Sequence, residues 1–192
     1  MTNTILQVED DPNDVFFFQH AMTEVGVTNP IQVATNGQQA IDYLKGAGKF
    51  ADRKTFPLPC LVLLDLKLPH VMGLDVLKWI REQPGGYARI VVILSASGEE
   101  CDVAAAYRLG ANGYLIKPPE VDKLQDMARA IKDFWLTQNT PPPEIPVEEA
   151  TTLVTSPSTQ SHSTRSAPAE AARTDSAESV LRPTIIESRT IG

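Results

Sequence analysis

Leu61-Val62-Leu63-Leu64-Asp65 is a run of four apolar residues that stops on a carboxylate, and Ile90-Val91-Val92-Ile93-Leu94 is a run of five that stops on Ser95. Neither run alternates with polar residues. Each therefore reads as a strand buried on both faces, the pattern of a parallel sheet covered by helices. Working outward, three shorter runs have the same character: Thr4 to Val8, Ile31 to Ala34, and Gly113 to Ile116. Helical segments alternate with them. The first spans Pro12 to about Val25, with Asp11 as cap, proline in the first turn and Gly26 as stop. Others cover Gly37 to Leu44, Leu74 to Glu82, Glu99 to Leu109, and Glu120 to Leu136. The last places Val121, Leu124, Ala128, Ile131 and Trp135 on one stripe. Five strand–helix units predict a doubly wound α/β sheet.

Composition bounds the rest. The chain has 192 residues and a formal charge of −7, which argues against general nucleic-acid binding. Two cysteines, Cys60 and Cys101, exclude a disulfide framework and a four-cysteine metal site. No apolar run is long enough to span a bilayer and the N-terminus lacks a signal-peptide pattern, so a soluble, cytoplasmic chain without membrane partners is predicted. From Thr140 onward there is no Phe, Trp or Tyr; the segment opens with Pro141-Pro142-Pro143 and is rich in Ser and Thr. Such a chain cannot bury enough apolar surface to offset its backbone entropy. The predicted layout is a folded domain over residues 1–139 and a disordered tail over 140–192.

In a doubly wound sheet the site lies outside the carboxyl ends of the strands, where strand order reverses. The residues directly beyond each strand are then the candidates: Glu9, Asp10 and Asp11 after the first, Asp65 after the third, Ser95 and Ala96 after the fourth, Lys117 and Pro118 after the fifth. Any one of these alone is commonly a solvated turn or a helix cap. Converging carboxylates at Glu9, Asp10 and Asp65 repel one another strongly unless paired, a conflict that a hard divalent cation resolves. With Lys117 as cation and Ser95 as hydroxyl donor, the set suits phosphoryl transfer onto the Asp65 carboxylate. Ala96 leaves room for the phosphoryl group.

Val8-Glu9-Asp10-Asp11-Pro12, Leu64-Asp65-Leu66-Lys67-Leu68-Pro69, Gly73, Leu94-Ser95-Ala96 and Tyr114-Leu115-Ile116-Lys117-Pro118 resemble the receiver domain of two-component response regulators. Within that family the chain is most similar to the small regulators that partner with phytochrome-type histidine kinases. The resemblance implies a flavodoxin-like five-stranded sheet in the order 2-1-3-4-5. It implies Asp65 as phosphoacceptor, with Lys117 and Ser95 assisting and Ser95 and Tyr114 forming the switch. It implies Mg²⁺ held through Glu9, Asp10, Asp65 and the Leu66 carbonyl, and a cis bond between Lys117 and Pro118. The partners it implies are a sensor histidine kinase or a phosphotransfer protein, with a homodimer among the possible assemblies. No enzymatic activity is expected beyond the protein's own phosphorylation and dephosphorylation.

Three rival functions compete for the same residues. A haloacid-dehalogenase-like phosphatase needs a carboxylate two residues past the nucleophile, where Lys67 stands. A flavin binder needs amides, not Glu9-Asp10-Asp11, facing its phosphate. A receiver-fold binding module that acts without phosphorylation stays open. Two features lie outside the family pattern. The long segment Lys45 to Pro59 carries Lys45, Lys49, Arg53 and Lys54 and reads as a surface loop or a partner contact. The triplet Phe16-Phe17-Phe18 places only Phe18 on the stripe Val15, Phe18, Met22, Val25, which leaves Phe16 and Phe17 off it, one of them for packing on the last helix or for a protein interface.

Overall fold

The structure, a computed structural model, describes residues 4–142. The predicted tail from residue 143 onward lies outside the described residues. Five parallel strands, β1 (Ile5–Val8), β2 (Ile31–Ala34), β3 (Leu61–Leu64), β4 (Val91–Ser95) and β5 (Gly113–Ile116), form one sheet in the order β2-β1-β3-β4-β5. Five helices connect and follow them: α1 (Pro12–Glu24), α2 (Gly37–Lys45), α3 (Gly73–Glu82), α4 (Glu100–Arg108) and α5 (Val121–Ile131). The fold is the expected flavodoxin-like receiver architecture.

Period-2 alternation sorts the strand residues between two cores. Leu6, Val8, Val62, Leu64, Val91 and Ile93 face one side, where α2 and α3 supply Ala40, Tyr43, Val76, Leu77 and Ile80. Ile5, Leu61, Leu63, Val92 and Leu94 face the other, against Phe18 and Met22 of α1 and Ala128 and Ile131 of α5. All but a few of these are essentially fully buried. That is why the strands carry no polar alternation. Truncating Leu63 or Ile93 to Ala would cost about 2–5 kcal/mol through lost burial and an unfilled cavity.

Helix ends follow local chemistry. Asp11 caps α1, its carboxylate accepting from the Asn13 amide at 2.8 Å, with Pro12 in the first turn. Asn36 caps α2 through the Gln39 amide, and Gly46 closes it at φ +72°. The predicted last helix divides: α5 ends at Ile131 and the chain continues as a π-helical turn over Lys132–Gln138. The Thr137 hydroxyl donates to the Lys132 carbonyl, and the Asn139 amide to the Phe134 carbonyl, each five residues back.

The Lys45 to Pro59 segment is anchored. Tyr43, Phe50 and Phe56 form an aromatic cluster with ring centroids 5.1 to 6.0 Å apart. Arg53 turns inward: its guanidinium donates to the carbonyls of Tyr43 (2.8 Å), Leu44 (2.7 Å) and Phe56 (3.2 Å). Among the four basic residues there, Arg53 thus closes the end of α2 and cannot be part of a free basic surface. Phe16 and Phe17 are 65% and 43% exposed, whereas Phe18 is buried, as the helical stripe requires. Among the described residues no helix is long and apolar enough to cross a membrane.

Candidate functional site

Register assembles the site. Val8 lies opposite Leu64 across the β1–β3 pair, and the Asp65 amide donates to the Val8 carbonyl at 3.1 Å. Glu9 and Asp65, the next residue of each strand, therefore emerge side by side. Ser95 lies opposite Ile116, and the Lys117 amide donates to the Ser95 carbonyl at 2.9 Å. The sheet thus delivers Ser95 and Lys117 to the same edge. The site sits where neighbouring strands on either side of β1 lead the chain in opposite directions, as doubly wound sheets dictate.

Ligand oxygens of Glu9, Asp10 and Asp65 fall within 4.8 Å of one another. Glu9 and Asp65 are buried, Asp10 is exposed. Asp65 Oδ1 accepts from the amides of Leu66 (2.5 Å) and Lys67 (3.3 Å). Its Oδ2 accepts from Lys117 Nζ at 2.9 Å. The same ammonium also donates to Glu9 and, at 2.9 Å, to Asp14. Burial pushes the Glu9 carboxyl up, and the hydrogen bond and charge of Lys117 only partly oppose this. Burial works against the Lys117 ammonium, but the bonds to Glu9, Asp14 and Asp65 outweigh it and hold its pKa above the ordinary lysine range. Hard oxygen donors in this density, two of them buried, fit a divalent cation.

The Leu66 carbonyl, expected as a metal ligand, already accepts from the Gly73 amide at 2.9 Å, so one lone pair remains to it. Gly73 has no alternative at the start of α3: a Cβ there would lie 2.0 Å from the Asp65 carbonyl oxygen. One expectation is corrected. The Lys117–Pro118 bond is trans, since there is no cis peptide among the described residues. An X–Pro bond favours trans unless its surroundings over-rule it.

Ser95 is fully buried, its hydroxyl accepting from the Ser97 amide at 3.4 Å. Tyr114 is half-buried, and its hydroxyl donates to the Ser97 carbonyl at 2.9 Å. Burial, followed by the Asp102 charge, raises the Tyr114 pKa. Ser97 donates in turn to Asp102 at 2.5 Å. Asp14, Ser97 and Asp102 do not stand out in the sequence. For Asp14 a signal exists: it stands four residues past Asp10, in the first turn of the helix that begins beside the acidic pair. The Asp11 carboxylate caps α1, while its amide donates to Glu9 Oε1 at 3.3 Å. A groove of about 500 Å³ opens beside the site, lined by Glu9, Asp14, Phe17, Lys117, Pro118 and Leu124 among others. Lys67, where a phosphatase of the rejected class needs an acid, is exposed.

Residues 5–129 match the family model described as response regulator receiver domain. The chain is 36% identical over 141 residues to the probable methanogenesis regulatory protein FilR2 of Methanothrix harundinacea, covering 72% of this chain and 86% of that one. It is 34% identical over 138 residues to response regulator Rcp1 of Synechocystis, covering 72% and 92%. Two solved structures superpose closely. The phosphorylated cyanobacterial phytochrome response regulator RcpA has a TM-score of 0.69 at 32% identity, over 74% of this chain and all of that one. The Mn²⁺-bound form of Rcp1 has a TM-score of 0.66 at 33% identity, over 73% and 99%. With the sheet order, the acidic edge and these likenesses in agreement, the chain belongs to the response regulator receiver family and is homologous to the phytochrome response regulators.

Proposed function

We propose that Asp65 accepts a phosphoryl group from the phosphohistidine of a phytochrome-type sensor histidine kinase, or from a phosphotransfer protein. An Asp65 oxygen forms the new P–O bond while the P–N bond breaks, and its electron pair stays on the imidazole nitrogen. Two amides fix Oδ1, so the carboxylate is oriented before the donor arrives. Asp10, Asp65 and the Leu66 carbonyl, with Glu9 through water, would hold Mg²⁺, which when bound would neutralise phosphoryl charge. Lys117 adds a second positive centre, and Ser95 a hydroxyl for a phosphoryl oxygen. Ser95 and Tyr114 then carry the change to α4 and β5, where a downstream partner or a second copy binds. The protein transforms no substrate besides its own aspartate. It works in the cytoplasm as a domain over residues 1–139.

The observation that supports this reading best is Lys117 Nζ at 2.9 Å from Asp65 Oδ2, beside three carboxylates within 4.8 Å. Acetyl phosphate with Mg²⁺ should label the wild-type chain and fail to label Asp65→Asn. Label that persists in the variant sinks the assignment. No label on either leaves the rival in which the fold binds partners without phosphorylation.

A further inference from the structure

Lys117 carries three N–H protons, and three different carboxylates already take them: Glu9, Asp14 and Asp65. The ammonium is saturated. A phosphoryl oxygen on Asp65 gains a bond from Lys117 only if one of these acceptors yields. Glu9 is 3% exposed, so giving up the ammonium would leave its buried carboxylate poorly solvated. Asp65 Oδ1 is held by two amides, so Oδ2 takes the phosphoryl group and releases one N–H of Lys117; any further bond from Lys117 to the phosphoryl oxygens needs another acceptor to yield. Asp14 differs from both. Its side chain is 47% exposed on the first turn of α1, so it can exchange the ammonium for water at the smallest cost.

We infer that Asp14 is a displaceable counter-ion that competes with the phosphoryl group for Lys117 and so sets how readily Asp65 is phosphorylated. The inference rests on the reading of Asp65 as phosphoacceptor. Two effects act in the same direction. The Asp14–Lys117 pair stabilises the resting state and must open. The freed carboxylate then faces a phosphoryl group of like charge, since Asp14 and Asp65 oxygens lie 2.9 Å from one shared nitrogen. Asp14 thus acts through Lys117 and does not touch the reacting atoms itself. Its own bond is the one that gives way.

Beryllofluoride, a stand-in for the phosphoryl group, provides the test. It is titrated in the presence of Mg²⁺ into the full chain and into Asp14→Asn, Asp14→Glu, Glu24→Gln and Asp65→Asn. An exposed ion pair is worth up to about 1 kcal/mol, so Asp14→Asn should bind about two- to fivefold more tightly than wild type. That gain should shrink at 1 M salt, where exposed charges are screened. Asp14→Glu, which restores the carboxylate, should return towards wild type. Glu24→Gln removes the same charge from the exposed far end of α1 and should change nothing. Thermal melts establish that each variant is folded. If Asp14→Asn binds equally or more weakly while wild type binds and Asp65→Asn does not, the inference falls alone. Wild type that fails to bind, or Asp65→Asn that binds as well, overturns the phosphoacceptor reading with it.

Discussion

The Tyr114 hydroxyl donates to the Ser97 carbonyl at 2.9 Å and so ties β5 to the loop that leaves the fully buried Ser95. Ser97 is itself bound to Asp102, in the first turn of α4. Three elements therefore meet at one residue. Ala106 is the one buried residue of α4, so little side-chain packing holds that helix in a single position.

Beryllofluoride should accordingly shift amide signals at Ser95, over 99–109 and at Tyr114, and strengthen self-association. Ser95→Ala should blunt the distant shifts while Asp65 stays open to labelling. Coupling of this kind is worth about 1–3 kcal/mol. Shifts confined to Glu9, Asp10, Asp65 and Lys117 would mean that the site binds without switching.

Removing single acids should separate metal binding from capping. Asp10→Ala should weaken Mg²⁺ strongly in a calorimetric titration. Asp11→Ala should leave Mg²⁺ affinity nearly intact but cost about 0.5–2 kcal/mol of stability through the lost α1 cap. Equal losses of affinity in the two would show that the ligand is assigned to the wrong acid.

Arg53→Ala should lower stability by about 1–3 kcal/mol, because the carbonyls of Tyr43, Leu44 and Phe56 lose a shared donor. Arg53→Lys should rescue little, since a single ammonium cannot reproduce the planar fork. Urea unfolding measures both. A variant within about 0.5 kcal/mol of wild type, the range of an ordinary surface change, would refute the anchoring role.

The pH dependence stems from Lys117. Its pKa is raised on folding, so the folded chain binds its proton more tightly than the unfolded one. The resulting stability is complete below the ordinary lysine value of 10.5 and is lost as pH rises above it. Tyr43, raised by burial, adds a slope of the same sign from about its ordinary value of 10.0 upward. In chelator, urea midpoints should fall more steeply above pH 10 in wild type than in Lys117→Arg, whose guanidinium stays charged while Tyr43 is unchanged. Parallel curves would remove Lys117 as the source.

Much of the fold and site is legible in the sequence because strand ends are legible. Apolar runs that stop on Glu9, Asp65, Ser95 and Lys117 give both the sheet and the edge that gathers those residues. Contacts set by helix placement are not. Nothing in the sequence says that Arg53, in a loop with two lysines, turns back onto α2, or that Ser97 meets both Asp102 and Tyr114. Asp14 is hidden for another reason: an acid in the first turn of a helix is already explained by the helix dipole. The bond before Pro118 was expected to be cis from family likeness alone, with no local signal behind it.

The contact at Gly73 bears on how such a sequence drifts over generations. A substitution at the half-exposed Asp14 changes one bond to Lys117 and leaves the backbone where it is, so selection can try it by single steps. Any side chain at 73 meets the Asp65 carbonyl at 2.0 Å and must move the very strand that presents the acceptor. An inert position, with no charge and no hydroxyl, is thus the less negotiable one. In a saturation library it should tolerate fewer replacements than Asp14 or Lys117.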